Sequence, residues 1–255
     1  MHSTVGSRFR PFPFSTIPNP LFRKHIAHTW YIDPDFPYCG FLSRDEAHIL
    51  YNLALQFRGR RCLEIGSHVG WSTVHFALAG VHLDAVEPQL SSDPRILLAL
   101  IDSLRRAGVQ KHVNLVPGFS PAAVSSLVSK STLSPQGQVD PALSPLKWAM
   151  IFIDGNHDGE GPLEDARIAE VHAADDALIM FHDLAFPDVA KGWRYFLENQ
   201  SWKTCIYNTQ QIIGIAWRGN ARPIHHIPDP TFDWALPEHL HDVAHLVYTC
   251  ESKGE

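Results

Sequence analysis

Short apolar runs alternate with amphipathic helical stretches from residue 61 to residue 198, and this alternation constrains the fold more than any other feature. Alternation of this kind is typical of a parallel sheet built from βαβ units. The apolar runs predict five parallel strands, at 61–65, 82–87, 113–116, 148–153 and 177–182. The accompanying helices are predicted at 44–57, 71–79, 94–107, 121–129, 162–174 and 188–198.

Two further strands, at 202–207 and 212–217, are separated by only four residues. So short a link allows a hairpin and excludes a parallel crossover. The predicted fold class is therefore α/β, a doubly wound seven-stranded sheet of five parallel strands plus a C-terminal antiparallel hairpin, with helices on both faces. We expect an arm at 1–42, this domain at 43–219 and a tail at 220–255.

The segments outside this pattern are harder to interpret. The arm carries prolines and aromatic residues without a sustained period, so we expect it to pack over its own core or over a second subunit, which leaves a homodimer open. Residues 130–147 are predicted to form a surface insertion, and the tail shows no core pattern. His239, His241 and His245 in the tail offer a zinc site as a weaker alternative.

Composition limits the classes of function. The chain has 255 residues, of which 45% are hydrophobic, and this excludes intrinsic disorder. The net charge of −6 argues against a nucleic-acid partner. Because the sequence shows neither a long apolar span nor a signal peptide, we expect a cytoplasmic protein with no membrane partner.

The strongest local signal is a strand that runs through a glycine turn into a helix, Glu64-Ile-Gly-Ser-His-Val-Gly-Trp-Ser-Thr73. A dinucleotide-binding turn, G-x-G-x-x-G, needs glycine where this chain has His68 and Trp71. This disfavours an NAD-dependent oxidoreductase, and the remaining glycines fit S-adenosylmethionine better. The residues of this loop predicted to bind the cofactor are Glu64, Gly66, Ser67, Gly70, Ser72 and Thr73.

Three later strand ends complete the predicted cofactor site, and one of them carries Asp154, which is also a candidate metal ligand. Glu87 ends the second strand, where a carboxylate can accept both hydroxyl protons of a ribose, although a solvated strand end is the alternative. Gly118 and Ser120 follow the third strand and are predicted to lie near the adenine, with an ordinary turn as the alternative.

Asp154 and Asp183 each end an apolar strand and lie 29 residues apart, the length of one βαβ unit. Since the carboxyl ends of neighbouring parallel strands open onto one crevice, we expect the two carboxylates to approach each other. Their repulsion calls for a hard divalent cation or a shared proton, and Mg²⁺ suits oxygen ligands. His182 is a candidate ligand too, but strand alternation should turn its side chain away from that of Asp183, which favours a role in supporting Asp183.

His157 lies three residues beyond Asp154, on the loop over the same crevice. An imidazole can take a hydroxyl proton near neutral pH, particularly when a metal acidifies that hydroxyl. The predicted catalytic residues are therefore His157 and Asp154. The alternative is that His157 only forms hydrogen bonds within its loop.

Taken together, these blocks resemble the class I S-adenosylmethionine-dependent methyltransferases, which have a Rossmann-like fold. The resemblance is to the branch whose motifs run E-I-G-S-x-x-G-x-S-T, F-I-D-G-D-H-S-Y-E-G and H-D. The last two appear here as Phe152-Ile-Asp-Gly-Asn-His-Asp-Gly-Glu-Gly161 and His182-Asp183, with Asn156 and Gly159 as departures. That branch is similar to metal-dependent sugar and natural-product O-methyltransferases and, distantly, to catechol O-methyltransferase.

The resemblance implies that Asp154 and Asp183 bind metal and that His157 deprotonates a small hydroxylated acceptor. The expected function is O-methyl transfer to a sugar, a phenol or another natural product. The residues leave one alternative of a different class, a cofactor-binding accessory protein that assists a pathway enzyme without transferring a methyl group itself.

Overall fold

The computed structural model describes the arm strands at 15–19, 28–32 and 39–40, residue 42, and residues 44–132, 145–226 and 235–248. The arm strands are β1 (Ser15–Asn19), β2 (His28–Ile32) and β3 (Cys39–Gly40). They pair antiparallel in the order β1-β2-β3. This small sheet was not predicted from the sequence, because the arm shows no strand period. Most of the predicted insertion lies outside the described residues.

A seven-stranded sheet forms the centre of the domain. Its strands are β4 (Arg61–Ile65), β5 (His82–Glu87), β6 (Val113–Pro117), β7 (Trp148–Ile153), β8 (Ala173–Phe181), β9 (Lys203–Tyr207) and β10 (Ile213–Arg218). Their order across the sheet is β6-β5-β4-β7-β8-β10-β9. Strands β4 to β8 are parallel, and β10 pairs antiparallel with both β8 and β9. The predicted fold class is confirmed.

Helices cover both faces of this sheet. They are α1 (Arg44–Ala54), α2 (Trp71–Ala79), α3 (Gln89–Ser92), α4 (Pro94–Arg106), α5 (Ala122–Ser131), α6 (Gly161–His172) and α7 (Pro187–Leu197), with 3₁₀ turns at Leu55–Phe57 and Gln110–His112. Helices α1, α2 and α4 pack into one apolar core and α5, α6 and α7 into the other. Strand residues alternate between the cores, as Cys62 and Leu63 do. None of the described helices is long and apolar enough to cross a bilayer.

One predicted boundary moved by several residues. The helix predicted to end at 174 ends at His172, and β8 begins at Ala173. Arg218 explains the shift, because its guanidinium donates hydrogen bonds to the carbonyls of Ala173 and Ala174, each 3.0 Å long. These bonds hold the backbone of Ala173 and Ala174 in an extended conformation. The sequence did not indicate a strand here, because the next residues, Asp175 and Asp176, are polar.

The tail has a core role that its sequence did not indicate. A 3₁₀ helix at Glu238–Leu246 buries Leu240 and Val243 completely or nearly so. Tyr248 N donates to the carbonyl of Ile206 at 2.7 Å, which ties the tail to β9. The zinc alternative is not supported among the described residues, because His239 contacts the carbonyl of Leu184 and His241 that of Leu236.

Leu240→Ala is expected to destabilise the fold by about 2–5 kcal/mol, since it leaves a cavity where a fully buried side chain was. His245→Ala, on an exposed position of the same segment, should change stability by less than about 0.5 kcal/mol. Urea denaturation of both variants measures the difference. Equal stabilities would show that the tail does not pack on the domain.

Candidate functional site

A cavity of about 1120 Å³ opens at the carboxyl ends of the parallel strands. Ligands of open α/β sheets bind at this edge, where the strand order reverses between β4 and β7. The predicted site residues that line the cavity are Gly66, Ser67, Ser72, Glu87, Gly118, Ser120, Asp154, His157 and Asp183. The volume is sufficient for a nucleoside-sized cofactor together with a second small molecule.

The two glycines of the loop after β4 have different physical roles. Gly66 adopts φ +91°, and a Cβ at this position would lie 2.0 Å from the carbonyl oxygen of Asp154. Glycine therefore allows the loops after β4 and β7 to approach each other across the cavity floor. Gly70, also at positive φ, lies against Leu100 and does not line the cavity. Its role in this structure is helix packing.

Glu64 lies beneath the cavity. It is fully buried, and its two carboxylate oxygens accept hydrogen bonds from Ser72 Oγ at 2.5 Å and Thr73 Oγ1 at 2.6 Å. Neither Glu64 nor Thr73 lines the cavity. The structure thus places these two predicted cofactor ligands as supports of the loop, which they hold against the first turn of α2.

Glu64→Gln is expected to flatten the fall of stability between about pH 4.5 and pH 8. Burial raises the pKa of Glu64 to about 8, although the Ser72 and Thr73 hydroxyls oppose the shift. A carboxyl whose pKa is raised on folding contributes stability below its unfolded pKa, near 4.5, and loses it as the pH rises to 8. Glutamine carries no such proton. Thermal melting between pH 6 and 9 should show a smaller fall for the variant, and identical slopes would contradict the assignment.

Glu87 and Ser67, which the sequence predicts to bind the cofactor, lie on the cavity wall. Glu87 accepts backbone hydrogen bonds from His68 N and Gln89 N, both 2.9 Å long, so its carboxylate is fixed in position. Ser67 Oγ is buried and has no hydrogen-bond partner among the described residues. A buried hydroxyl without a partner is costly, and a ligand in the cavity could satisfy it.

Asp154 and Asp183 approach each other with His182 beside both. His182 Nδ1 lies 3.3 Å from Asp154 Oδ1 and 3.1 Å from Asp183 Oδ2. One ligand atom from each of the three residues lies within 4.8 Å of the others. Asp183 Oδ1 is buried without a hydrogen-bond partner in the described part of the chain. We call these three residues the donor cluster.

The expectation that His182 turns away from Asp183 was wrong. Strand alternation ends at Phe181, the last residue of β8, and Asp183 adopts φ +63°. This left-handed conformation brings both side chains to the same edge. It is uncommon for a residue other than glycine, and such strained conformations concentrate at functional sites.

His157, in the loop after β7 that also carries Asp154, contacts the carboxylates of both Asp154 and Asp183. Its Nε2 lies 3.3 Å from Asp183 Oδ2 and 3.5 Å from Asp154 Oδ1, and its ring packs against Phe186. Burial lowers the pKa of His157, but Asp154 and Asp183 outweigh it, so the pKa lies above its usual value. Burial also lowers the pKa of His182, but Asp183 and Asp154 raise it well above its usual value. Burial disfavours charge on Asp154, yet the two histidines hold its pKa below the usual value.

Glu46 is a member of the site that the sequence did not reveal. It is fully buried, and its Oε1 accepts hydrogen bonds from Thr209 Oγ1 at 2.9 Å and from Gln211 N at 2.7 Å. Its Oε2 lies 3.5 Å from His182 Nε2. From the start of α1, this side chain braces the hairpin loop and His182.

Comparison with known protein families gives a match over most of the part of the chain that forms the cavity. Residues 63–184 match the family model described as a methyltransferase domain, a range that runs from β4 to just beyond the donor cluster. The matched range, 122 of 255 residues, is thus similar to a methyltransferase domain. This bears out the resemblance to methyltransferases that the sequence motifs indicated. No curated protein matches the sequence significantly.

Solved structures with the methyltransferase fold resemble this one. An O-methyltransferase from Bacillus cereus in complex with S-adenosylhomocysteine (SAH) is 14% identical, with a TM-score of 0.55 over 69% of this chain and 82% of that one. The O-methyltransferase TomG from Streptomyces achromogenes, involved in tomaymycin synthesis and solved in complex with S-adenosylmethionine, is 17% identical, with a TM-score of 0.54 over 73% and 84%. At sequence identities of 14% and 17%, the structural similarity establishes the fold alone.

Proposed function

We propose that the protein is an S-adenosylmethionine-dependent O-methyltransferase, assisted by a divalent cation, that acts on a hydroxyl group of a small sugar, phenol or natural product. The observation that carries the proposal is the donor cluster with His157 against it, beside the predicted cofactor loop. This arrangement places groups that can bind and deprotonate a hydroxyl at one end of a cavity.

The charge of the cavity suits a cationic cofactor. The described residues that line it include no lysine or arginine, and its seven carboxylates belong to Glu87, Asp154, Asp158, Glu160, Glu164, Asp165 and Asp183. A cleft with one sign of charge attracts the opposite sign. The sulfonium of S-adenosylmethionine carries that charge, and the orphaned Ser67 hydroxyl offers a polar contact.

The donor cluster also fits a divalent cation. Its atoms are carboxylate oxygens and one imidazole nitrogen, a set that accepts Mg²⁺ and suits Mn²⁺ well. The buried Asp183 Oδ1 needs a positive partner. Asp154, His182 and Asp183 would hold the ion. When bound, such a cation lowers the pKa of a hydroxyl that it contacts.

The chain's own residues account for the remaining steps. His157 Nε2 faces the two carboxylates, so a hydroxyl held between them passes its proton to that nitrogen. Asp154 and Asp183 then stabilise the imidazolium. The acceptor oxygen forms a bond to the methyl carbon as the carbon–sulfur bond breaks, and sulfur keeps the electron pair, which gives SAH. Alignment of the methyl group with the acceptor oxygen can lower the activation free energy by roughly 7–11 kcal/mol.

Labelled methyl transfer tests the proposal. Purified protein would be incubated with S-adenosylmethionine and with catechol, caffeic acid or methyl glucoside, in EDTA and again with Mg²⁺ or Mn²⁺ restored. We expect a methylated acceptor only when the cation is present. Transfer that EDTA leaves unchanged would contradict the metal role. Cofactor binding with no transfer to any of these acceptors would favour an accessory protein.

A further inference from the structure

Glu46 is a buried carboxylate to which the proposed methyl transfer assigns no step. It lies in the first turn of α1 and does not line the cavity. Its Oε1 accepts two hydrogen bonds from the loop between β9 and β10, one from Thr209 Oγ1 and one from Gln211 N. Because a backbone amide can only donate, Gln211 N requires an acceptor oxygen at this position. The carboxylate is therefore fixed with its second oxygen, Oε2, towards His182.

His182 lies between Glu46 and the two aspartates of the donor cluster. Its ring is buried, with Nε2 3.5 Å from Glu46 Oε2. Nδ1, on the other side of the ring, lies 3.1 Å from Asp183 Oδ2 and 3.3 Å from Asp154 Oδ1. Nε2 is enclosed and forms no regular hydrogen bond with any described residue. The Glu46 carboxylate is thus an acceptor within reach of Nε2, and a small shift of the ring would complete the bond.

The tautomer of His182 decides whether it can bind a cation. A nitrogen that binds a metal ion carries no proton, and in a neutral imidazole the proton then lies on the other nitrogen. Since Nδ1 faces Asp154 and Asp183, that proton belongs on Nε2, where Glu46 Oε2 is placed to accept it. A carboxylate in this position fixes the ring of a metal-binding histidine and makes it a better ligand.

Glu46 also supports the backbone next to Asp183. Leu184 N donates to the carbonyl of Ile212 at 3.1 Å, so the loop between β9 and β10 holds the segment that follows Asp183. Ile212 is fully buried and adopts φ +64°, a conformation that is unfavourable for a β-branched residue. The hydrogen bond from Gln211 N to Glu46 helps to hold this strained loop in place.

We propose that Glu46 is a positioning residue of the cation site, which accepts the Nε2 proton of His182 so that an unprotonated Nδ1 faces the cation. The inference rests on the divalent cation of the proposed function. Glu46 touches neither cofactor nor acceptor in this account and acts through His182 alone. Its loss should therefore weaken cation binding and leave the cofactor loop intact.

Electron paramagnetic resonance with Mn²⁺ tests this role without an acceptor or turnover. Mn²⁺ would be titrated into the protein with and without Glu46→Gln, and spin-echo modulation would report whether nitrogen binds the ion. The glutamine oxygen can still accept from Gln211 N, so its amide group faces Nε2 and the imidazole proton moves to Nδ1. We expect the Kd of Mn²⁺ to rise about 10–100-fold and the nitrogen coupling to disappear. A His157→Ala background removes His157 as a second source of nitrogen.

Glu170→Gln is the matched control. It makes the same chemical change on α6, where Glu170 accepts hydrogen bonds from Tyr195 and Asn199 and does not line the cavity. We expect it to keep the wild-type Kd of Mn²⁺ and the nitrogen coupling. Calorimetry with SAH should give affinities within a few-fold of each other for all these proteins, which shows that the fold and the cofactor loop are intact.

Nitrogen NMR of the wild type provides a second measurement that needs no substitution at Glu46. With Mg²⁺ bound, the chemical shifts of the His182 ring should show the proton on Nε2, the tautomer that Glu46 Oε2 favours. A proton on Nδ1 would contradict the proposal.

Four results of the Mn²⁺ experiment would overturn the proposal. Equal affinities of Glu46→Gln and the wild type would show that Glu46 does not position the site. A lower affinity with nitrogen coupling retained at saturating Mn²⁺ would assign Glu46 a structural role only. Wild-type Mn²⁺ binding without nitrogen coupling would exclude His182 as a ligand while the proposed cation stands. If the wild type binds no Mn²⁺, the cation of the proposed function is wrong and the inference falls with it.

Discussion

Asp154→Asn should reduce methyl transfer by at least about 100-fold while SAH affinity stays within a few-fold of the wild type. The amide keeps the shape of the side chain but removes the charge that faces His157 Nε2 and His182 Nδ1. His157→Ala removes the proton acceptor and should cost roughly 10²–10⁴-fold, the range usual for general bases. Single-turnover assays with excess enzyme measure the chemical step, and calorimetry measures the affinity.

Asp102→Asn is the matched control for this experiment. It makes the same chemical change on α4, where Asp102 forms a surface ion pair with Arg106 at 2.6 Å and does not line the cavity. We expect its rate to equal that of the wild type. If Asp154→Asn and His157→Ala also methylate at the wild-type rate, the proposed roles of both residues are wrong.

Gly66→Ala should destabilise the fold by about 2–5 kcal/mol and weaken SAH binding. The added Cβ would stand 2.0 Å from the carbonyl oxygen of Asp154, and φ of +91° is itself unfavourable for alanine. Relief of the clash requires the loop after β7 to move, and that loop carries Asp154 into the site. The variant is therefore expected to lose both folding stability and the position of Asp154 in the site.

Gly59→Ala separates the clash from the backbone strain. Gly59 also has positive φ, at +74°, but a Cβ there would meet nothing within 4 Å. It should cost only about 1–2 kcal/mol and leave SAH affinity unchanged. Chemical denaturation and calorimetry of both variants give the comparison. Equal losses of stability would show that the contact between the loops after β4 and β7 is not tight.

The sheet was predictable because its central parallel strands are mostly apolar and buried, and β7 (148–153) is buried at every position and gives a continuous apolar run. The approach of Asp154 to Asp183 followed from topology alone, since their strands are neighbours. The orientation of His182 did not follow, because it depends on the left-handed backbone at Asp183, which no sequence period encodes.

Two carboxylates of the site escaped the sequence analysis for a common reason. Glu46 and Asp165 lie on the buried faces of α1 and α6, where their neighbours at helical spacing are apolar. Glu46 precedes Ile49 and Leu50, and Asp165 is followed by Ala169. An acidic residue within an apolar helical stripe is a signal that could have found both, since an unpaired buried carboxylate is costly and must have a partner.

A crystal structure with SAH and Mn²⁺, recorded with anomalous scattering, tests the central claim most directly. The account predicts an anomalous peak bounded by Asp154, His182 and Asp183, next to the sulfur of SAH and within reach of His157. A map without a peak among these residues, or with the two aspartates turned away from each other, would contradict it.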